Sequence, residues 1–129
     1  MARHASRNPT ELELEILKII WRDGPSSVRD IAARLAPKRK LAITTIQTVV
    51  VIMIEKGYLK RAKEGGNFVY RARITEAKTA RSFVRDLAMR VFGGSTMSMI
   101  SNALEVKEID RDEITKIRAM LDAKEGKEA

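Results

Sequence analysis

Residues 26–73 read SSVRDIAARLAPKRKLAITTIQTVVVIMIEKGYLKRAKEGGNFVYRAR, and the run TTIQTVVVIMIEK at 44–56 decides how they fold. Propensity alone favours a strand there, because Thr, Val and Ile dominate and branching at Cβ is mildly unfavourable in a helix. Length and punctuation argue the other way. The run is longer than a buried strand usually is, and Glu55-Lys56-Gly57 reads as a helix end with glycine at C′. Ile46, Val49/Val50 and Met53 supply a core-facing stripe at helical spacing. The run is predicted to be a helix whose other face carries Thr44, Thr45, Gln47, Thr48 and Val51.

On its amino-terminal side, Ser26 and Ser27 offer an N-cap with Asp30 three residues after Ser27. Val28, Ile31, Ala32 and Leu35 then form a short apolar face that Pro37 closes, and Lys38-Arg39-Lys40 occupies the turn. On the carboxyl side, residues 58–63 and 68–73 are two short strand patterns around a Gly-Gly-Asn turn, with Lys60, Arg61, Lys63 and Arg73 on a charged rim. Their aromatic residues are expected to pin the hairpin on the helical core. Helix, turn, helix and basic hairpin, in that order, is the layout of a winged helix-turn-helix. Such a module offers one helix to a major groove and a charged loop to the neighbouring backbone.

Further out, Thr10 to Glu13 has the form of a capping box, opening a helix with Leu14, Ile16, Leu17 and Ile20/Trp21 that Gly24-Pro25 ends. Trp21 lies on the apolar stripe, where packing is the expected role. Residues 1–9 form a polar arm with Arg3, His4 and Arg7, and this lone histidine is assigned no chemistry. From Thr75 the pattern is purely helical. Ala77, Ala80, Val84, Leu87 and Val91 step by three and four residues until Gly93-Gly94. Ser95 or Thr96 caps a short helix with Met99, Ile100, Ala103 and Leu104, and Asp110 with Glu113 opens a last one with Ile114, Ile117 and Leu121. Three short helices in about 50 residues cannot easily build a core alone. A second copy covering Ala80, Val84, Leu87, Val91, Ile100, Leu104, Ile114, Ile117 and Leu121 solves that, and it would hold two reading heads at a fixed spacing.

Charge divides the chain in the same place. Residues 1–73 hold 15 Lys/Arg against 7 Asp/Glu, whereas residues 74–129 hold 10 against 10, so the first segment carries the whole net charge of +8. A basic head on a neutral base suggests a polyanion-binding domain at 1–74 followed by a helical dimerisation domain at 75–129. In a mostly α chain of this design, Thr44, Thr45, Gln47, Thr48 and Val51 would face bases, while Lys38, Arg39, Lys40, Lys60, Arg61, Lys63 and Arg73 would hold phosphates. A winged-helix protein-interaction module is the competing reading, for which the apolar run 49–54 would be the contact surface. The chain has no cysteine, one histidine and no phosphate-cradling loop, so no metal, cofactor or catalytic site is expected. The apolar run 49–54 is far too short to span a membrane, and the first sixteen residues have no apolar signal core; a cytoplasmic protein is expected.

From Thr10 to Leu121 the chain resembles the BlaI/MecI family of penicillinase repressors. The resemblance rests on LEILKIIW before a Gly-Pro turn, SVRDIAARL, TTIQTVV with EKGYLKR, FVYRARIT, and ARSFVRDLAMRVFGG. It implies a homodimeric winged-helix repressor of a dyad-symmetric operator in double-stranded DNA, controlling β-lactam resistance genes and its own operon. It also implies release by a membrane sensor-protease pathway that cuts the dimerisation domain, here at Asn102–Ala103. This chain departs from that pattern at several positions. Ala103 stands where the family's studied repressors carry a bulky aromatic residue. Val51 and Ile52 replace a polar residue and an arginine, and Ile54 a residue that is often charged. A repressor of unrelated genes, released without proteolysis, is the alternative these departures leave open. The cysteine cluster of a copper-responsive branch is absent.

Overall fold

The computed structural model describes residues 8–128, so Arg3, His4 and Arg7 of the expected arm lie outside the described residues. The elements in order are α1 (Glu11–Asp23), α2 (Val28–Leu35), α3 (Ile43–Glu55), β1 (Leu59–Glu64), β2 (Asn67–Ala72), α4 (Glu76–Arg90), α5 (Thr96–Val106) and α6 (Arg111–Glu128). This is a mostly helical winged helix-turn-helix followed by a helical region. Two compact units divide within α4, at Met1–Arg85 and Asp86–Ala129. The expected boundary at 74/75 marks where strand gives way to helix. The first unit also takes in the start of α4, where Thr79 is buried and Ser82 Oγ donates to Asn8 Oδ1 at 2.7 Å.

The segment 44–56 is helical, as its punctuation indicates. Ile46, Val50 and Met53 on α3 are fully buried and meet Ile16, Leu17 and Ile20 of α1, Ile31 and Leu35 of α2, and Leu59 of β1 in one core. Burying these apolar side chains stabilises more than branching at Cβ costs the helix. The helix stops in a Schellman arrangement. The Gly57 N–H donates to Ile54 O at 3.0 Å and the Tyr58 N–H to Met53 O at 2.9 Å. This needs a left-handed residue, and Gly57 supplies it at φ 83°.

The hairpin pairs antiparallel from Leu59↔Ala72 to Glu64↔Asn67. Asn67 therefore belongs to β2, and the turn is the two residues Gly65 and Gly66, both at positive φ, which suits the right-handed twist of the strands. Ser26 adds a one-residue bridge on β2: the Tyr70 N–H donates to Ser26 O at 2.8 Å, and the Ser26 N–H to Tyr70 O at 3.2 Å. The wing is thus tied to the start of the helix-turn-helix, while Ser27 is the actual cap of α2, accepting from the Asp30 N–H. Trp21 is half-buried and its Nε1 donates to Ile74 O at 2.9 Å, anchoring the chain where it leaves the wing.

Two polar links fix the helices. Thr10 and Glu13 form the expected capping box on α1, but Glu13 is buried rather than solvated, and its carboxylate accepts from Lys56 Nζ at 2.9 and 3.1 Å. Glu15 on the same helix accepts from Arg39 Nε at 2.6 Å and pairs with Lys38 Nζ at 3.2 Å, clamping the α2–α3 turn. The Arg39 guanidinium, with burial opposing it and Lys38 assisting, holds the Glu15 carboxyl below its usual 4.5. Among the described residues no helix is long and apolar enough to cross a membrane.

Two consequences are measurable. Lys56→Met strands the Glu13 carboxylate in the core and is expected to cost about 3 kcal/mol, as for other broken buried pairs, read by urea denaturation at fixed protein concentration. A carboxyl whose pKa is depressed on folding stabilises the fold above its unfolded pKa and loses that contribution as pH falls through the folded value. Stability should therefore fall from about pH 4.5 downward, and Glu15→Gln should flatten that acid limb in melting scans across pH 3 to 7.

Candidate nucleic-acid interface

With its buried stripe turned to the core, α3 leaves Thr44, Gln47, Thr48, Val51 and Glu55 along an open face, with Ile52 partly covered beside them. Thr45 is exposed next to this row. Thr48 Oγ1 donates back to Thr44 O at 3.1 Å, so its hydroxyl proton is held by the helix and its oxygen is left as an acceptor. Gln47 keeps a terminal amide that can both donate and accept. Ala42, at the N-cap, provides no side-chain hydrogen bond to the first turn of α3. The Ile43 and Thr44 N–H groups lie among the first-turn donors, which at any helix start lack an intrahelical acceptor and suit a phosphate oxygen.

The wing supplies the charge, and strand alternation sorts it by face. Leu59, Arg61 and Lys63 share one face with Phe68, Tyr70 and Ala72, while Lys60 and Arg71 lie on the other. Tyr58 and Tyr70 are buried and pin the hairpin as expected. Phe68 does not: it is 46% exposed, with the Arg61 guanidinium 4.3 Å from its ring centre and Lys63 Nζ at 5.8 Å. Paired with Lys63 beside the turn, it lies beyond the reach of the core. The stacked aromatic ring stiffens a cationic tip. Lys60, Arg61 and Arg73 border a groove floored by Val51, Ile54 and Leu59, with Glu55 at its edge, so the basic rim meets the open face of α3 at Val51. Arg71 is engaged by Glu64 across the hairpin at 3.4 Å.

The basic turn is divided between internal ties and exposed charge. Lys38, Arg39 and Lys40 were expected to hold phosphates together, but Glu15 takes both Lys38 and Arg39, with Glu11 also 3.5 Å from Arg39. Arg39, the least exposed of the three, is an internal tie, and Lys40 stays exposed. A residue that sequence reasoning missed lies at the opposite end of α2. Arg29 lines a second groove with Ser27, Val28, Ile43, Gln47, Asn67 and Phe68, which joins the start of α2, the start of α3 and the wing tip. Its exposed place in the first turn of α2 was the available signal. Asp30, beside it, is the carboxylate of the capping box on α2. Hydrogen bonds from the Ser27 backbone and side chain hold its carboxyl below the usual carboxylate range.

In the helical region, Ala80, Val84, Leu87, Val91, Ile100, Leu104 and Leu121 are exposed, and Ile114 and Ile117 are half-buried. Ser95 caps α5 by accepting from the Ser98 N–H, and Asp110 accepts from the Glu113 N–H at the start of α6. Asn102 and Ala103 lie exposed inside α5, and Asn102 Nδ2 donates to Ser98 O at 2.8 Å.

The penicillinase repressor family matches residues 9–123 of the chain. The penicillinase repressor of Bacillus licheniformis is 29% identical over 113 residues, covering 88% of each protein. The methicillin resistance regulatory protein MecI of Staphylococcus aureus is 27% identical over 116 residues, covering 87% of this chain and 91% of its own length. A MarR family protein from Bacillus stearothermophilus has the same fold at a TM-score of 0.50 and 18% identity, over 92% of this chain and 74% of its own. With a match across nearly its whole length and a winged-helix head, the chain belongs to the penicillinase repressor family and is a DNA-binding transcriptional repressor, not an enzyme.

Proposed function

We propose that the chain represses transcription in the cytoplasm as a homodimer on a dyad-symmetric operator, with α3 in the major groove and the wing on the flanking backbone. One observation carries this reading: the open face of α3 that presents Gln47 and Thr48 adjoins, through Val51 and Glu55, the groove bordered by Lys60, Arg61 and Arg73, so that base-reading groups and cations lie along one surface. Gln47 binds adenine through both edge atoms; Thr44, Thr45, Thr48 and Val51 complete the row. Lys60, Arg61, Lys63, Arg73 and Lys40 hold phosphates, joined by Arg29. The exposed apolar residues from Val84 to Leu121 are the surface a second copy covers, and a two-fold pair of heads then matches two half-sites.

The relatives' names point to β-lactam resistance genes as the regulated set. A membrane sensor-protease that cuts Asn102–Ala103 is one route of release. A bond inside a regular helix must be unwound before a protease can bind it in extended form. With Asn102 also tied to Ser98 O, we favour release of this chain without cutting.

Three measurements test the reading. Gln47→Ala should relax preference at one base pair of the half-site at a cost of about 1–3 kcal/mol, visible in titrations against single-base variants. Lys63→Ala should weaken all duplexes alike and reduce the dependence of log K on log salt by about one unit. Salt-independent binding would instead favour the protein-interaction module. In sedimentation the chain should be dimeric at micromolar concentration, and Leu87→Glu with Leu104→Glu should yield monomers that still bind one half-site.

A further inference from the structure

Val51 is 49% exposed and lies opposite the stripe of Ile46, Val50 and Met53 that α3 gives to the core. A β-branched residue there costs helix propensity and gains little burial within the chain. A single exposed valine is ordinary on a protein surface, but the setting of this one is specific. One turn earlier on the same face stands Gln47, and on the other side the groove that Val51 floors is bordered by Lys60, Arg61 and Arg73. Three cations and one carboxylate, Glu55, surround the apolar floor, and with the cations in excess the groove fits a duplex, whose phosphates the cations hold while a base edge meets the floor. The major groove has one apolar feature at a base edge, the C5 methyl of thymine.

We propose that Val51 determines specificity by packing on the C5 methyl of a thymine in the operator; this rests on α3 being the reading helix. The spacing fixes where that thymine lies. Gln47 and Val51 are four residues apart, a rise of about 6 Å along the helix, which spans one or two base pairs at roughly 3.4 Å each. The thymine is therefore one or two base pairs from the position that Gln47 reads.

Full-length protein is used to select duplexes from a randomised library, and the tightest is resynthesised with each thymine in turn replaced by deoxyuridine, which removes only the C5 methyl. The wild type is expected to lose about four-fold in affinity at one thymine, the worth of one buried methyl group. That thymine should lie one or two base pairs from the site where Gln47→Ala relaxes preference. Val51→Ala should bind the thymine and uracil duplexes equally, whereas Val51→Ile should still distinguish them, with circular dichroism confirming that both variants are folded. The proposal is overturned if Val51→Ala still discriminates, or if no replacement weakens the wild type. In that case a shift of preference in Gln47→Ala leaves the operator reading standing. A library that enriches no sequence overturns both.

Discussion

The carboxylate of Glu13 holds α3 in place. Apolar contacts between α1 and α3 are nearly indifferent to a small rotation or slide of one helix on the other, since burial has no preferred direction. A buried ion pair is different: it loses its hydrogen bonds within a fraction of an ångström. Glu13 has only 3% of its surface exposed, and one of its oxygens also accepts from the Thr10 N–H while both meet Lys56 Nζ. The start of α1 and the end of α3 are therefore locked in register by one group. Lys56 is the C-cap of α3, adjoining the Schellman turn that launches β1. One pair thus sets both the rotation of the helix and the departure of the wing.

That rotation matters because α3 is asked to do two things in 13 residues. Ile46, Val50 and Met53 must face the core, which leaves Thr44, Gln47, Thr48 and Val51 as the outward row. A turn of the helix by one residue, about 100°, would exchange buried and displayed side chains. Arg39 and Lys38 secure the other end by holding Glu15 from the α2–α3 turn, and Ser26 secures the wing by bridging to Tyr70. Each constraint is polar and directional, and each joins segments far apart in the chain.

Contacts of that range are what the sequence does not display. Local chemistry was legible: the cap at Thr10, the glycine that ends α3 at Gly57, and the paired glycines of the hairpin all act within a few residues of themselves. The helix at 44–56 was readable against its propensity because the end signal and the length outweighed the branched side chains. Glu13 was legible only as half of a capping box, since its second partner lies 43 residues away. Lys38 and Arg39 looked like a free cluster for the same reason, their acid being one helix earlier. Phe68 was read as core because aromatic residues usually are; its pairing with Lys63 at the end of a two-stranded ribbon places it past the last core layer. Arg29 was overlooked because it is one basic residue on a short helix, and only folding brings it beside Asn67 and Gln47.

Charge and apolar surface are distributed oppositely along the chain, and the distribution suits two-fold assembly. The head keeps its large aliphatic side chains inside, apart from Ile43 and Val51 on the offered face, and carries the entire net charge. The following segment balances 10 cations with 10 anions and leaves Leu87, Ile100, Leu104 and Leu121 uncovered. Two copies meeting through such a segment gain burial without electrostatic opposition at the contact. Their heads, each at +8, repel one another when they come within the roughly 8–10 Å reach of unscreened charge. DNA reverses the sign of that term: phosphates between the heads replace repulsion with attraction and release counterions. In the proposed dimer, association and DNA binding thus depend on different surfaces and respond oppositely to salt, which screens the repulsion between the heads and steeply weakens operator binding.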